Sequence, residues 1–159
     1  MGWGPALLDE AFVHQVMEAL ERLPRDAKPL WGRMTAGDLT GHLLATLRYS
    51  LGQISTTLPS QTAPLPGWLL RWLFLEVGMK MPKNIRFRGT RGEELPLPKV
   101  EGSIDELRIA LLDVWGADVR RVPTPPPHPY LGRLTLKQWK KFHVLHIRHH
   151  LSQFGLLSG

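Results

Sequence analysis

The sequence predicts an all-α protein with four principal helices and one accessory helix, in a single domain over residues 1–159. Apolar residues recur at helical spacing in five segments, which is the pattern of amphipathic helices. Proline and glycine cluster between these segments, and no run is convincing as a core strand. A chain of 159 residues, 43% hydrophobic and 21% charged, can bury one sizeable core.

The first two helices are predicted over Pro5–Arg22 and Thr35–Gln53. Proline suits a first helical position, and Pro24 and Pro29 bracket the loop that follows the first helix. Thr35 begins the second helix, because Asp38 three residues later completes a capping-box pattern. The apolar positions that give the first helix its spacing are Leu8, Phe12, Val16, Ala19 and Leu23.

The accessory helix is predicted over Trp68–Met81, entered through Pro64 and Pro66. It is expected to face the core, with a membrane or partner surface as the alternative. Arg71 and Glu76 interrupt it, and it falls short of the roughly 18–20 continuous apolar residues that a membrane helix needs. No membrane partner is therefore expected. Trp68 and Trp72 would serve as the contact surface of a homodimer.

The last two helices are predicted over Ser103–Arg121 and Thr135–Phe154. Each begins with a capping box, to Glu106 and to Gln138, and the second ends before Gly155.

Two long connections complete the organisation. The segment Pro82–Gly102 is rich in proline, glycine and charge, and predicts a surface loop with a short hairpin around Asn84–Gly92. The segment Pro123–Pro129 predicts a stiff crossover.

Composition excludes several function classes. The chain has no cysteine, which rules out a disulfide scaffold, a thiolate-held metal and a cysteine nucleophile. Asp9 and Glu10 follow an N-terminus without basic residues, so no signal peptide is expected and the location is expected to be cytoplasmic. The net charge of +6 favours acidic partners without choosing one.

Nucleic-acid binding through the long loop is the weakest of the functional hypotheses. No nucleic-acid motif accompanies its basic residues, so a solvated loop is favoured and no nucleic-acid partner is expected. The residues concerned are Lys80, Lys83, Arg86, Arg88 and Arg91.

Four histidines within eight residues are the most informative feature of the last helix. At about 100° per residue, His150 lies about 40° from His146, His143 about 60° on the same side, and His149 about 60° on the other. Trp139 shares this face while the lysines of the helix lie opposite, so the histidines are expected to point to the core.

His146 and His150 stand at i and i+4, the spacing at which two helical imidazoles can bind one metal ion. A shared divalent cation would explain several buried imidazoles, since an unsatisfied buried polar group costs roughly 1–3 kcal/mol. Core histidines bonded to backbone or carboxylates, or a solvated face, stay open as alternatives. His42 on the second helix is a candidate third ligand, with a hydrogen-bonded core histidine as the alternative. Its face also carries a polar stripe, which indicates a site if it faces inward and is ordinary if it faces solvent: Thr35, Asp38, Thr46, Tyr49 and Gln53.

These residues resemble a known superfamily. The chain resembles the DinB-like superfamily of metal-dependent four-helix-bundle proteins, and within it an uncharacterised subfamily. The resemblance runs in order along nearly the whole chain. Its motifs are Trp31-Gly-x-Met34-Thr-x-x-x-Leu-x-x-His42-Leu, His128-Pro129-x-x-Gly132-x-Leu134-Thr135-x-x-x-Trp139 and His146-x-x-His149-His150-Leu151-x-Gln153-Phe154-Gly155.

The resemblance implies an up-down four-helix bundle whose metal is held by His42, His146 and His150. It places His149 beside the ligands as a neighbour, and leaves His143 as an extra ligand or as a group behind them. Characterised relatives include thiol transferases and a mycothiol-dependent isomerase, in which the metal activates the thiol of a small cofactor.

Three imidazoles leave a divalent ion with an open position, as in catalytic rather than structural sites. Nitrogen ligation suits zinc, nickel, copper or iron. A metal-dependent enzyme is therefore expected. Transfer of a group with a small-molecule thiol is favoured over hydrolysis as its reaction. The alternative is a non-catalytic metal-binding or structural bundle. Asp38, Tyr49 and Gln153 are candidates to hydrogen-bond the ligands. Helix capping, core packing and an interhelical hydrogen bond, respectively, are their alternative roles.

Overall fold

A computed structural model describes residues 7–56 and 58–157 of the chain. Its regular structure is mostly helical, with one small two-stranded sheet among the described residues. The elements are α1 (Glu10–Glu21), α2 (Ala36–Ser50), α3 (Gly67–Arg71), continued by a π-helical segment (Trp72–Val77), β1 (Phe87–Arg88), β2 (Glu94–Leu95), α4 (Ile104–Gly116) and α5 (Leu136–Gln153).

Helix α1 begins later than the sequence predicts. The Asp9 carboxylate accepts a hydrogen bond from the backbone N–H of Phe12 at 2.8 Å, and this cap sets the first turn at Glu10. The predicted start at Pro5 lies outside the described residues, but Leu7 and Leu8 precede the helix. The end at Glu21, with Arg22 as the C-cap, agrees with the prediction.

The predicted starts of α2, α4 and α5 are confirmed. Thr35, Ser103 and Thr135 are the N-caps, and the last two form complete capping boxes with Glu106 and Gln138. The carboxylate of Asp38 instead bonds Lys99, so the box of α2 is only half formed.

Two of the predicted helix ends are wrong. Helix α2 ends at Ser50 rather than Gln53, and α4 ends at Gly116 rather than Arg121. After α4 the chain becomes extended at Ala117, and the Asp118 carboxylate then accepts the next backbone N–H groups in a turn. The end of α5 at Gln153 agrees with the prediction.

The accessory helix differs most from its prediction. It starts at Gly67, widens into π-helical geometry from Trp72, and ends at Val77, because Gly78 takes a left-handed conformation with φ 81°. One side of the segment faces the core as expected, through the buried Leu75 and the partly buried Leu70 and Phe74, while Trp68 on the other side is 64% exposed. Homodimer formation through its tryptophans stays a prediction. No described helix has both the length and the apolar character needed to cross a membrane.

The predicted hairpin is present in the long loop but lies further along the chain. Phe87 pairs with Leu95 and Arg88 with Glu94, in antiparallel register. The turn closes through Gly89, whose N–H donates to the carbonyl of Glu93 at 2.8 Å. The loop beyond the hairpin returns to α2, where the N–H of Val100 donates to the carbonyl of Gly41 at 3.1 Å.

The main core is shared by α1, α2, α4 and α5. Helix α2 packs against both α4 and α5, and α1 packs against α4. A second apolar cluster joins α5 to the accessory segment through Leu75, Trp139 and Phe142. Because α2 and α5 lie side by side, the middle of α2 faces the C-terminal half of α5.

Candidate metal centre

Three buried histidines meet where α2 faces α5. The Nε2 atom of His146 lies 3.0 Å from Nε2 of His42 and 3.1 Å from Nε2 of His150. One ring nitrogen from each of the three lies within 4.8 Å of the others. The side chains are 4–6% exposed, so the cluster is enclosed by protein. The structure therefore brings together residues that are 104 positions apart in the sequence.

A backbone carbonyl sets the tautomer of His42. Its Nδ1 lies 2.6 Å from the carbonyl oxygen of Pro98. A carbonyl oxygen only accepts hydrogen bonds, so Nδ1 carries the hydrogen. In the neutral ring, Nε2 then holds a lone pair, and this lone pair faces His146.

A side-chain amide sets the tautomer of His150 in the same way. Its Nδ1 lies 2.8 Å from Oε1 of Gln153. The amide cannot be reversed, because its Nε2 donates to the carbonyl of Trp31 at 2.9 Å. His150 therefore donates from Nδ1 and presents a lone pair from Nε2. Gly32 gives the amide its room, since a Cβ there would lie 2.8 Å from Nε2 of Gln153.

The lone pairs that meet at His146 cannot all be satisfied by this ring. If Nε2 of His146 carries a hydrogen, it can donate well to one of the two facing lone pairs and leaves the other unpaired at about 3 Å. If it does not, three lone pairs face one another. A cation between the rings would satisfy all of these lone pairs.

An additional proton is disfavoured as that cation near neutral pH. Burial holds the pKa of His146 well below its usual range, and the neighbouring His150 and His42 lower this pKa further. Burial also lowers the pKa of His150 to about 3 and reduces that of His42, although the Pro98 hydrogen bond opposes the shift of His42. The three rings are neutral at pH 7, the state in which imidazole binds a metal.

Two of the three separations between the converging nitrogens match a metal site, and the three atoms lie within 4.8 Å of one another. Two nitrogens that bind one zinc ion tetrahedrally at about 2.0–2.1 Å lie about 3.3 Å apart. The separations of 3.0 and 3.1 Å are close to this value. The hydrogen bonds from Nδ1 to Pro98 and Gln153 are the kind that metal-bound histidines make with carbonyl and amide oxygens.

His143 lies next to this cluster along α5 but points elsewhere. Its Nε2 is 2.7 Å from Oγ of Ser50, whose hydroxyl donates to the carbonyl of Leu47. His143 is therefore the donor to Ser50. The ring stacks on Trp139 with centroids 5.5 Å apart. Burial lowers the pKa of His143 to about 3. The structure places it as a hydrogen-bonded core histidine, outside the group of converging nitrogens.

The other predicted site residues divide into those near the cluster and those away from it. Gln153 contacts His150 directly, and the ring of His149 lies 5.1 Å from the ring of His150. Asp38 and Tyr49 bond elsewhere: the Asp38 carboxylate contacts Lys99 at 2.9 Å, and the Tyr49 hydroxyl donates to the carbonyl of Pro127 at 2.7 Å. Neither takes part in the hydrogen bonds that orient the converging rings.

Sequence reasoning missed two groups here. Nothing in the sequence predicts that the Pro98 carbonyl accepts from His42, because this contact depends on how the long loop returns to α2. His128 stands in the sequence motifs without a predicted role. Its Nδ1 accepts the backbone N–H groups of Tyr130 and Leu131, both at 3.1 Å, and its ring lies 4.4 Å from Phe142. Burial lowers its pKa to about 3.

Comparison with known proteins gives one partial match. A family model described as a protein of unknown function (DUF1569) matches residues 123–155. This stretch contains α5 with His146, His150 and Gln153, but not His42. No curated protein and no solved structure matches the chain.

Proposed function

We propose that the chain is a metal-dependent protein whose divalent cation is held by Nε2 of His42, His146 and His150. The observation that carries the proposal is the meeting of Nε2 atoms at 3.0 and 3.1 Å, with two of the rings held by Pro98 and Gln153 in tautomers that leave these atoms unprotonated. We also propose that α1, α2, α4 and α5 form a four-helix bundle and that residues 1–159 are one domain.

We propose an enzyme that transfers a group to or from a small-molecule thiol. A cation with three imidazole ligands and an open position supplies Lewis-acid activation of a thiol or a water molecule. The chain has no cysteine, so any thiol must arrive with a substrate. Zinc, nickel and iron all suit nitrogen ligands. The match to a family of unknown function is compatible with this activity and does not select it.

The protein's own groups have defined tasks in this proposal. The Pro98 carbonyl and the Gln153 amide orient two of the ligands. The ring of Phe142 stacks on His146 at 5.2 Å with an interplanar angle of 16°, which shields one face of that ligand from water. Low polarity around the cluster strengthens its interaction with a cation.

Metal content tests the site directly. Protein purified without a nickel column is analysed by elemental analysis, beside His146→Ala, His150→Ala and His143→Ala. About one equivalent of metal is expected in the wild type and in His143→Ala, because His143 donates to Ser50. The other two variants are expected to lose about 10²–10³-fold in affinity, since structural zinc sites bind with about 10–16 kcal/mol shared among their ligands. Full occupancy in these two variants contradicts the proposal.

A structural role for the metal is the second candidate, favoured by the 4–6% exposure of the three ligands. Calorimetry of the metal-loaded protein with a small thiol separates the two roles. Thiol binding that requires the metal supports the enzyme. A melting temperature that falls on chelation, without thiol binding, supports the structural role.

A further inference from the structure

A tryptophan, a lysine and a histidine lie together beside the proposed metal centre. The ammonium of Lys83 lies 4.3 Å from the centroid of the Trp31 ring, in a cation–π contact. The ring of His149 packs edge-on to Trp31, with centroids 6.0 Å apart. His149 in turn lies 5.1 Å from the ring of His150. The long loop, which carries Lys83, therefore meets the loop before α2 at the edge of the centre.

The nitrogen groups of this cluster have no acceptor among the described residues. The indole Nε1 of Trp31 is buried without a hydrogen-bond partner. Lys83 has no carboxylate within 4.0 Å in the described part of the chain, and the His149 ring contacts the rings of Trp31 and His150. An unsatisfied buried N–H costs roughly 1–3 kcal/mol, so a group that accepts from Trp31 would relieve this cost.

Carboxylates on the neighbouring segments are already neutralised by other cations. Glu94 pairs with Arg33 at 2.6 Å and with Arg86 at 2.8 Å. Asp38 pairs with Lys99 at 2.9 Å. These acids therefore do not compete for Lys83, whose charge stays available to a ligand.

We propose that Trp31, Lys83 and His149 form a subsite for the anionic group, a carboxylate or a phosphate, of the small molecule that reaches the metal centre. An indole N–H, an ammonium and an imidazole can all donate to such a group, and charge-assisted hydrogen bonds are the stronger ones. Contact between His149 and His150 places the subsite next to a proposed ligand. The inference rests on the proposed function only for the group of the small molecule that reaches the metal. The binding of its anionic group does not depend on the metal.

Two thiols that differ in one group test the subsite on zinc-loaded protein. Calorimetry compares 3-mercaptopropionate with 2-mercaptoethanol, which lacks the charge. The carboxylate compound is expected to bind about tenfold or more tightly, from the strength of charged hydrogen bonds. Lys83→Gln is expected to remove the preference. Lys80→Gln, which changes a nearby exposed lysine, is the matched control and is expected to keep it.

A second measurement separates this inference from the metal proposal. Metal-free protein is titrated with acetate and with inorganic phosphate, and Trp31→Phe tests the indole N–H without removing the ring. The anion that binds more tightly identifies the ligand class. Trp31→Phe is expected to lower the affinity for this anion severalfold. Equal binding of the two thiols to zinc-loaded wild type, or an unchanged preference in Lys83→Gln, overturns the subsite. Failure to bind zinc overturns the proposed function, while the anion titration still decides the subsite.

Discussion

Helix α5 carries two kinds of buried histidine that differ in how their nitrogens are satisfied. His143 donates to Ser50. His128, which packs against α5 through Phe142, accepts two backbone N–H groups. His146 and His150 are equally buried, yet their Nε2 atoms face each other and that of His42.

The difference shows that burial and a lowered pKa do not by themselves identify a metal site. Burial lowers the pKa of His143 and of His150 to about 3 in both cases. What separates them is the count of donors and acceptors. The protein's own groups account for the contacts of His143, whereas lone pairs in the other cluster meet without enough hydrogens between them.

Acid is expected to have the largest effect on the free energy of unfolding. It acts both on the hydrogen-bonded histidines and on the converging histidines. A histidine whose folded pKa lies below the unfolded value of about 6.5 binds more protons when unfolded, so its stabilisation is full above pH 6.5 and is lost as pH falls toward 3. His128 and His143 together contribute up to about 2.7 kcal/mol per pH unit to the fall in the free energy of unfolding, and the lowered pKa values of His42, His146 and His150 add to this slope in metal-free protein. Urea unfolding of metal-free protein between pH 7.5 and 4 measures this slope.

Two variants check the source of the slope. His143→Gln is expected to reduce it by about 1.4 kcal/mol per pH unit. Replacement of the exposed Ile109 by glutamine, which removes no ionisable group, is the control and is expected to leave it unchanged. In zinc-loaded protein the fall should begin at the same pH, which the unfolded histidines set, and should extend to lower pH, because the metal keeps the three ligands deprotonated. Stability that is constant from pH 7 to pH 5 contradicts the account.

Truncation of His143 is expected to have the next largest effect, on stability alone. His143→Ala leaves a cavity beside Trp139 and removes the donor to Ser50, so the free energy of unfolding should fall by about 2–4 kcal/mol. Urea unfolding in the presence of a chelator and in excess zinc should show the same loss. A loss seen only with zinc would place His143 in the metal site and erase the distinction between the clusters.

Loss of the Gln153 amide is expected to weaken metal binding without unfolding the protein. Gln153→Ala removes the acceptor that holds His150 in its tautomer, and groups of this kind are typically worth about 10–100-fold in metal affinity. Competition against a zinc chelator measures the affinity. Ser152→Ala, which removes a local bond to the His149 carbonyl, is the matched control with little expected change. Equal affinities in the two variants would show that the amide does not orient the ligand.

Local signals predicted the helix starts better than the helix ends. The residues Ser103 and Thr135 can accept a backbone N–H within their own turn, so the capping chemistry is readable from four neighbouring positions. The end of α4 depends on the turn at Asp118, and the course of the accessory segment depends on π-helical geometry from Trp72. The spacing of apolar residues predicts neither the end of α4 nor the π-helical geometry of the accessory segment.

The same limit applies to the candidate site. The i, i+4 spacing places His146 and His150 together because one helix carries both. A helical wheel of α2 indicates which face His42 occupies but not what that face meets, and only the motif resemblance joined it to α5. The Pro98 carbonyl is 56 residues from His42, and no periodicity extends across the loop between them. Asp38 shared the polar stripe with His42, yet its carboxylate turned to Lys99.

The smallest expected effect concerns the approach of that loop to α2. A Cβ on Gly41 would clash with the carbonyl oxygen of Val100, so Gly41→Ala must push the loop outward and loosen the contact between Pro98 and His42. Alanine favours a helix by up to about 1 kcal/mol over glycine, which offsets part of the cost of the clash. Gly37→Ala supplies the control, because its Cβ would lie 3.8 Å from Thr35 Oγ1 in ordinary contact. We expect Gly37→Ala to leave zinc affinity unchanged and Gly41→Ala to lower it severalfold, measured by chelator competition. If both alanines bind zinc like the wild type, the carbonyl is not needed to orient His42, and the site depends on the two histidines of α5 for its geometry.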